Sequence, residues 1–339
     1  MDRRRSTIQD VAREAGVSTK TVSRVARQDP NVTEKTRTAV RAVIDRLSYR
    51  ATIAARSTVS ARSFQIGLVF DNPKSSYMFA LWRGALNVTR SNGYHLIFEP
   101  MEDAQRSIGE ALSDLIIQSN LESVIVPPPL SDNPEVIEAL VKLNRPFARI
   151  SPSLMPDIGV SVRIDDHAAA RAMTEYLISL GHRQIGFIQG KAGTTTSRNR
   201  LAGFHTAMKA AGLTVPDWHV EQGDFELRSG VLCGERLLGR PDRPTAIFAS
   251  NDEMAAGVVM AANRLGLDVP ANVSIAGFDD TAIAKNMWPT LTTINQPIRQ
   301  MAGVAAQCLI DYQRNGQKDK GEIVELNFDL VIRDSTRHL

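Results

Sequence analysis

Hydroxyl and basic side chains crowd one short segment, in which Thr19, Lys20, Thr21, Ser23 and Arg24 follow Ser18. Hydroxyl, ammonium and guanidinium groups at this density suit phosphate oxygens and base edges, the chemistry of a nucleic-acid reader. Asp165-Asp166-His167 mixes carboxylates with an imidazole, as a metal or acid–base site would. It falls at a predicted strand-to-helix junction, however, where aspartate acts as a helix cap. Gly190-Lys191-Ala192-Gly193 and the following Thr194-Thr195-Thr196-Ser197 offer amides to a phosphate, and fit an ordinary strand-to-helix loop as well. His182 lies in a helix-to-strand turn and reads as structural, while Trp288 before Pro289 either lines a cleft or packs. No G-x-G-x-x-G or G-x-x-x-x-G-K-[ST] segment occurs, so dinucleotide and P-loop chemistry carry no signal. The two cysteines, Cys233 and Cys308, are too few for a zinc site or a disulfide framework, and no metal or cofactor is expected.

The elements that carry the first cluster follow from spacing. Thr7 is a helix N-cap with Asp10 three residues on, and Ile8, Val11, Ala12 and Ala15 share one face. Gly16 supplies the left-handed residue that ends this helix. Ser18 caps a second helix through about Arg27, with Val22 and Val25 inward, and Pro30-Asn31 breaks it. Thr33 opens a third helix with Val40, Val43, Ile44 and Leu47 on one face. Two helices around a tight glycine turn form a helix-turn-helix pattern, although a plain three-helix bundle with solvated charges has the same spacing. The charge distribution favours the former. Residues 1–62 hold 14 Lys/Arg against 6 Asp/Glu, while the other 277 residues hold 26 against 31. A basic head on a mildly acidic body points to a polyanion partner for the head alone.

Beyond residue 63 short apolar runs alternate with amphipathic segments. Strands are expected over 65–70, 95–98, 123–126, 147–150 and 160–164, then over 184–188, 220–222, 246–249 and 274–278. Helices are expected near 77–92, 104–119, 134–144, 167–180, 198–211, 226–238, 252–265 and 297–314. The alternation means parallel sheets covered by helices, and two series mean two lobes with a ligand cleft between them.

The stretch Thr7-Ile8-Gln9-Asp10-Val11-Ala12-Arg13-Glu14-Ala15-Gly16-Val17-Ser18, with Thr21-Val22-Ser23-Arg24-Val25, closely resembles the headpiece of the LacI/GalR family of transcriptional regulators. Val32-Thr33-Glu34-Lys35-Thr36-Arg37 extends the likeness. So do Leu180-Gly181-His182-Arg183-Gln184-Ile185-Gly186, Arg200-Leu201-Ala202-Gly203-Phe204, Ala249-Ser250-Asn251-Asp252, Gly277-Phe278-Asp279-Asp280, Pro289 to Ile294 and Val331 to Thr336. The resemblance spans essentially the full chain. It implies an all-α helix-turn-helix headpiece over 1–49, a hinge linker over 50–62, and an α/β two-lobed, periplasmic-binding-protein-like core over 63–339. Lobe 1 is expected at about 63–163 and 296–322, and lobe 2 at about 164–295 and 323–339.

The resemblance also implies site residues. DNA contacts are expected from Thr7, Ser18, Thr19, Lys20, Thr21, Ser23 and Arg24, and in the hinge from Ala55 and Thr58. Ala51 and Thr52 stand where the family has Pro-Asn, and Thr58 stands where a leucine usually wedges between base pairs. A threonine is shorter and polar, and should unstack a base step less well. Arg200, Asn251 and Asp279 fall at the family's effector positions, with Asp71 and Phe225 completing a polar pocket with one stacking face. Carboxylate, guanidinium and amide groups suit a polyol, although Arg200 and Asp279 would also suit each other. The expectation is a homodimeric repressor of carbohydrate genes, controlled by a small-molecule effector, in practice a sugar. The competing expectation is a sugar- or nucleoside-processing enzyme with a carboxylate pair such as Asp71 and Asp279. A sugar-transport protein is disfavoured by the polar Met1-Asp2-Arg3-Arg4-Arg5 start and by the headpiece, and a cytoplasmic location without membrane spans is expected.

Overall fold

The computed structural model describes residues 6–26, 29, 31–47, 62–71, 76–101, 107–315 and 321–339. The hinge residues Ala51, Thr52, Ala55 and Thr58 lie outside the described residues. The chain divides into two compact units, Met1–Phe64 and Gln65–Leu339.

In the first unit, α1 (Ile8–Glu14), α2 (Thr19–Ala26) and α3 (Glu34–Arg46) enclose a small valine-rich core of Val11, Val22, Val25, Val32, Val40 and Val43. Thr7 and Asp10 form a reciprocal capping box: the Asp10 amide donates to the Thr7 hydroxyl at 3.3 Å, and the Thr7 amide to the Asp10 carboxylate at 2.9 Å. Gly16 takes φ +64°, the left-handed turn between α1 and α2 that glycine adopts without steric cost. Arg37 ties the α2–α3 turn by donating to the carbonyls of Asp29 and Val32.

The second unit holds two six-stranded sheets. In chain order the first half supplies β1 (Gln65–Phe70), α4 (Ser76–Ser91), β2 (His95–Pro100), α5 (Ile108–Gln118), β3 (Ser123–Val126), α6 (Pro134–Leu143), β4 (Phe147–Ile150) and β5 (Val160–Arg163). Next come α7 (Asp166–Ser179), β6 (Ile185–Gln189), α8 (Thr195–Ala210), β7 (Val220–Gln222), α9 (Leu227–Leu238), β8 (Ala246–Ala249), α10 (Asp252–Arg264), β9 (Ser274–Phe278), α11 (Ala282–Asn286) and β10 (Thr292–Asn295). The chain closes with α12 (Ile298–Asn315), β11 (Ile323–Glu325) and β12 (Asp329–Val331). The first sheet runs β11-β5-β4-β3-β1-β2 with every pair parallel. The second runs β12-β10-β9-β8-β6-β7, parallel except for β12. The central strands are buried on both faces, as their unbroken apolar runs require.

Three strands, β10, β11 and β12, were not anticipated from periodicity. They are short, and β11 and β12 are solvent-facing edge strands without an apolar run. β11 corrects the lobe boundary: it pairs with β5, so residues 323–325 belong to the first lobe, and the chain crosses to the second lobe only after Glu325. The chain thus passes between lobes three times, after β5, after β10 and after β11. No described helix is long and apolar enough to cross a membrane.

Candidate functional site

On the headpiece, α2 presents Thr19, Lys20 and Arg24 to solvent while Val22 and Val25 anchor its inner face. The Ser18 hydroxyl accepts from the Thr21 amide at 3.1 Å and lies 2.9 Å from the Thr21 hydroxyl, so both residues fix the start of α2. Arg24 leans toward Asp29 at 3.6 Å and keeps half its side chain exposed. Thr7 caps α1 with its hydroxyl 2.7 Å from the Asp10 carboxylate. Hydroxyls, two cations and a helix start are thereby gathered on one surface of a rigid three-helix unit.

In the core, all five residues singled out for an effector line one cavity of about 320 Å³ between the lobes: Asp71, Arg200, Phe225, Asn251 and Asp279. Four of them sit in loops that the fold projects into the cleft. Asp71 follows β1, Phe225 follows β7, Asn251 follows β8 and Asp279 follows β9, all at carboxyl ends of strands. Arg200 stands on α8, which starts in the same cleft. Three lining residues, Ser151, Phe225 and Asp279, have positive φ values of 48°, 72° and 111°. Non-glycine backbone in this region costs about 1–3 kcal/mol per residue and gathers at binding sites.

Arg200 is buried and already well occupied. Its Nε donates to Asp166 at 2.7 Å and its Nη1 to the Ser250 carbonyl at 2.5 Å, while Asp279 lies 3.7 Å away. The guanidinium also lies 3.6 Å from the Phe278 ring centre. Asp166 is therefore the main ion partner of Arg200, and only Asp165 of the Asp165-Asp166-His167 cluster caps α7, accepting from the Ala168 amide at 2.9 Å. Asn251 is doubly used: its Oδ1 caps α10 by accepting from Met254, and its Nδ2 donates to the Phe225 carbonyl at 2.9 Å. Asn251 thus holds the backbone of Phe225. The Phe225 ring in turn covers Gly190, where a Cβ would come within 1.9 Å of the ring.

Asp279 accepts from the Gln296 amide at 2.7 Å, and its backbone N–H donates to the Ile294 carbonyl. Burial raises its carboxyl above the usual carboxylate range, with Arg200 and Gln296 pulling the other way and Asp252 adding to the rise. Burial likewise raises Asp252, against hydrogen bonds from Thr293 at 2.6 Å and from Thr281 at 2.7 and 3.0 Å. Burial and Asp279 together push the Tyr77 hydroxyl far up, which keeps it a neutral donor. Across the cleft, Lys191 donates to Asp71 at 3.1 Å and Ser76 to Glu253 at 2.8 Å, two ties between the lobes.

Sequence reading missed Tyr77, Ser151, Lys191 and Asp224 as lining residues. Tyr77 is hidden in the amphipathic pattern of α4. Ser151 follows β4 with its amide donating to the Val162 carbonyl at 2.8 Å, and the buried Arg149 guanidinium ties the neighbouring loops by donating to the carbonyls of Ser131, Leu154 and Ile158. Lys191 carried a signal, the glycine-flanked loop after β6. Trp288 neither lines this cavity nor packs: it is 82% exposed. His182 is buried with bonds to Thr245, Ser274 and the Arg337 carbonyl, a structural role. Among the described residues no His/Cys/Asp/Glu cluster could hold a metal.

Residues 7–51 match the family described as bacterial regulatory proteins, lacI family, and residues 174–336 match the periplasmic binding protein-like domain. The chain is 35% identical over 340 residues to the HTH-type transcriptional repressor PurR of Proteus mirabilis, covering 97% of this chain and 96% of that one. The chain belongs to the LacI family. The fold also matches a lac repressor dimer bound to operator and the anti-inducer ONPF, at TM-score 0.78 and 27% identity, covering 98% and 100% of the two chains. A complex of the regulator CelR with cellobiose matches at TM-score 0.73 and 26% identity, over 98% and 100%. As a LacI-family member the protein is a DNA-binding transcriptional repressor. The alternative of an enzyme with Asp71 and Asp279 as acid and base falls, because full-length relatives of this family are transcriptional regulators.

Proposed function

We propose that this LacI-family repressor acts as a cytoplasmic homodimer whose operator affinity is lowered by a sugar held between the lobes. One observation carries the reading: Arg200, Asn251 and Asp279, expected from the family's motifs, line a single cavity together with Asp71 and Phe225, giving hydrogen-bonding groups and one aromatic face. The Asp71 carboxylate accepts from ring hydroxyls, the Asp279 carboxyl both accepts and donates, Arg200 supplies a donor, and Phe225 stacks on the apolar face of the ring. Asn251 acts by fixing Phe225. The CelR–cellobiose complex shares this fold, which supports a sugar in the equivalent cleft.

On DNA, Lys20 and Arg24 read base edges in the major groove, and Thr19 meets a base or its neighbouring phosphate. Thr7, Ser18, Thr21 and Ser23 meet phosphates. Ala55 and Thr58 approach the minor groove. Two-fold pairing of headpieces matches a near-palindromic operator. Phe79 on α4 and Ile117 on α5 are large exposed apolar side chains, 56% and 61% exposed, and suit pairing between first lobes.

The test selects operator DNA from a random pool, then follows its binding by fluorescence anisotropy with and without sugars that shift the melting temperature. The expected result is operator release on adding the sugar. Arg24→Ala is expected to lose about 1–3 kcal/mol of base discrimination while retaining much of its affinity for scrambled DNA. Unchanged preference for the operator in Arg24→Ala, or tighter operator binding with sugar, would refute the corresponding half.

A further inference from the structure

The polar groups of the cleft are unevenly matched. Among the described residues four carboxyl groups line it, Asp71, Asp224, Glu226 and Asp279, against two cations, Lys191 and Arg200. Both cations are already engaged: Lys191 with Asp71 at 3.1 Å, and Arg200 with Asp166 at 2.7 Å and Asp279 at 3.7 Å. Acceptors are in surplus. Asp71 uses Oδ2 on Lys191, Asp224 uses Oδ1 on the Glu226 amide, and Asp279 uses Oδ1 on Gln296. The second oxygen of each has no donor among the described residues. A carboxylate oxygen facing a cleft accepts an O–H or N–H from a ligand and repels a ligand's anionic oxygen.

We infer that the effector is an uncharged or cationic, hydroxyl-rich molecule, and that the cleft rejects the phosphate ester and the acid of the same sugar. The inference rests on the cleft being the effector site. One feature opposes it: α8 begins at the cavity, with Thr194 and Thr196 lining it, and a helix start attracts anions. That attraction amounts to about half a unit charge. It is outweighed by Asp71, Asp224 and Glu226, three carboxylates set against Lys191 among the described lining residues once Arg200 is matched by Asp166. The Thr194 hydroxyl, moreover, donates back to the Lys191 carbonyl at 2.7 Å and closes that loop on itself.

The experiment measures binding of ribose, glucose, cellobiose and glucosamine to the purified full chain by calorimetry. The phosphate esters of ribose and glucose, and gluconate, are measured beside them. At least one neutral sugar or glucosamine is expected to bind about tenfold or more tightly than its anionic counterpart. Asp224→Asn, at an exposed rim position, should narrow that ratio without abolishing neutral-sugar binding. A phosphate ester binding as tightly as its parent sugar overturns this inference and leaves the sugar reading standing. If nothing in either set binds, the sugar reading itself falls and carries this selectivity with it.

Discussion

At the residue scale the chain keeps a costly group in its cleft. Asp279 is buried, its backbone has φ +111°, and burial raises its carboxyl. Because the folded carboxyl holds its proton to higher pH than the unfolded one, its contribution to stability is full below the unfolded value. That contribution fades as pH rises through the raised value. Asp279→Asn removes the charge while keeping shape and the Gln296 contact. We expect it to raise the melting temperature by about 2–4 °C near pH 8.5, and by less near pH 5. The same variant should weaken the sugar response, since it replaces a carboxyl oxygen that can accept from a hydroxyl by an amide NH2 that only donates. Calorimetric melting at the two pH values checks the first half. A variant no more stable at alkaline pH would mean that Arg200 already compensates the charge.

At the element scale, the stacking face depends on a loop that can be tested without touching a ligand contact. Phe225 is set by the Asn251 cap of α10 and lies over Gly190 at the end of β6. Gly190→Ala would place a methyl carbon 1.9 Å from the ring, so the ring must swing away. The expected cost is about 1–3 kcal/mol of stability. Sugar affinity should fall several-fold, and operator affinity without sugar should stay unchanged. A variant that binds sugar normally would show that Phe225 is not the stacking face. The ends of the headpiece helices are set locally by caps at Thr7, Ser18 and Thr33, while their packing rests on the shared valine core.

Between the lobes, two polar ties cross among the described residues, Asp71–Lys191 and Ser76–Glu253. The first is half exposed and contributes about 0–1 kcal/mol. The second is a shorter bond to a charged acceptor, of a type that contributes about 1.5–3 kcal/mol. A ligand shifts the lobe arrangement only through its differential affinity, typically about 1–3 kcal/mol. Ser76→Ala should therefore make the lobes part more easily and weaken sugar binding by about three- to tenfold. Lys191→Ala should change it by less than about threefold. Titration calorimetry with the same sugar separates the two. A Ser76→Ala effect no larger than that of Lys191→Ala would show that the Ser76–Glu253 tie does not dominate the lobe arrangement.

Local signals made much of this protein readable from its sequence. Capping residues and a 3.6-residue period define α1–α3, and Gly16 marks the turn, because helix ends are governed by neighbours in the chain. Buried parallel strands declare themselves as apolar runs, which is why both lobes were legible. The edge strand β11 was not: three residues with one face in water carry no period, and only pairing with β5 assigns them to the first lobe. The candidate site divides the same way. The family resemblance points to Arg200, Asn251 and Asp279, with Asp71 and Phe225 beside them, but their roles come from long-range contacts. Arg200 is matched mainly by Asp166, 34 residues away, and Asn251 holds Phe225 across 26 residues. Tyr77, Ser151 and Lys191 join the cleft only because two sheets bring their strand ends face to face. Which groups are matched, and which are left for a ligand, is a property of distances between lobes, and the chain order of residues does not contain those distances.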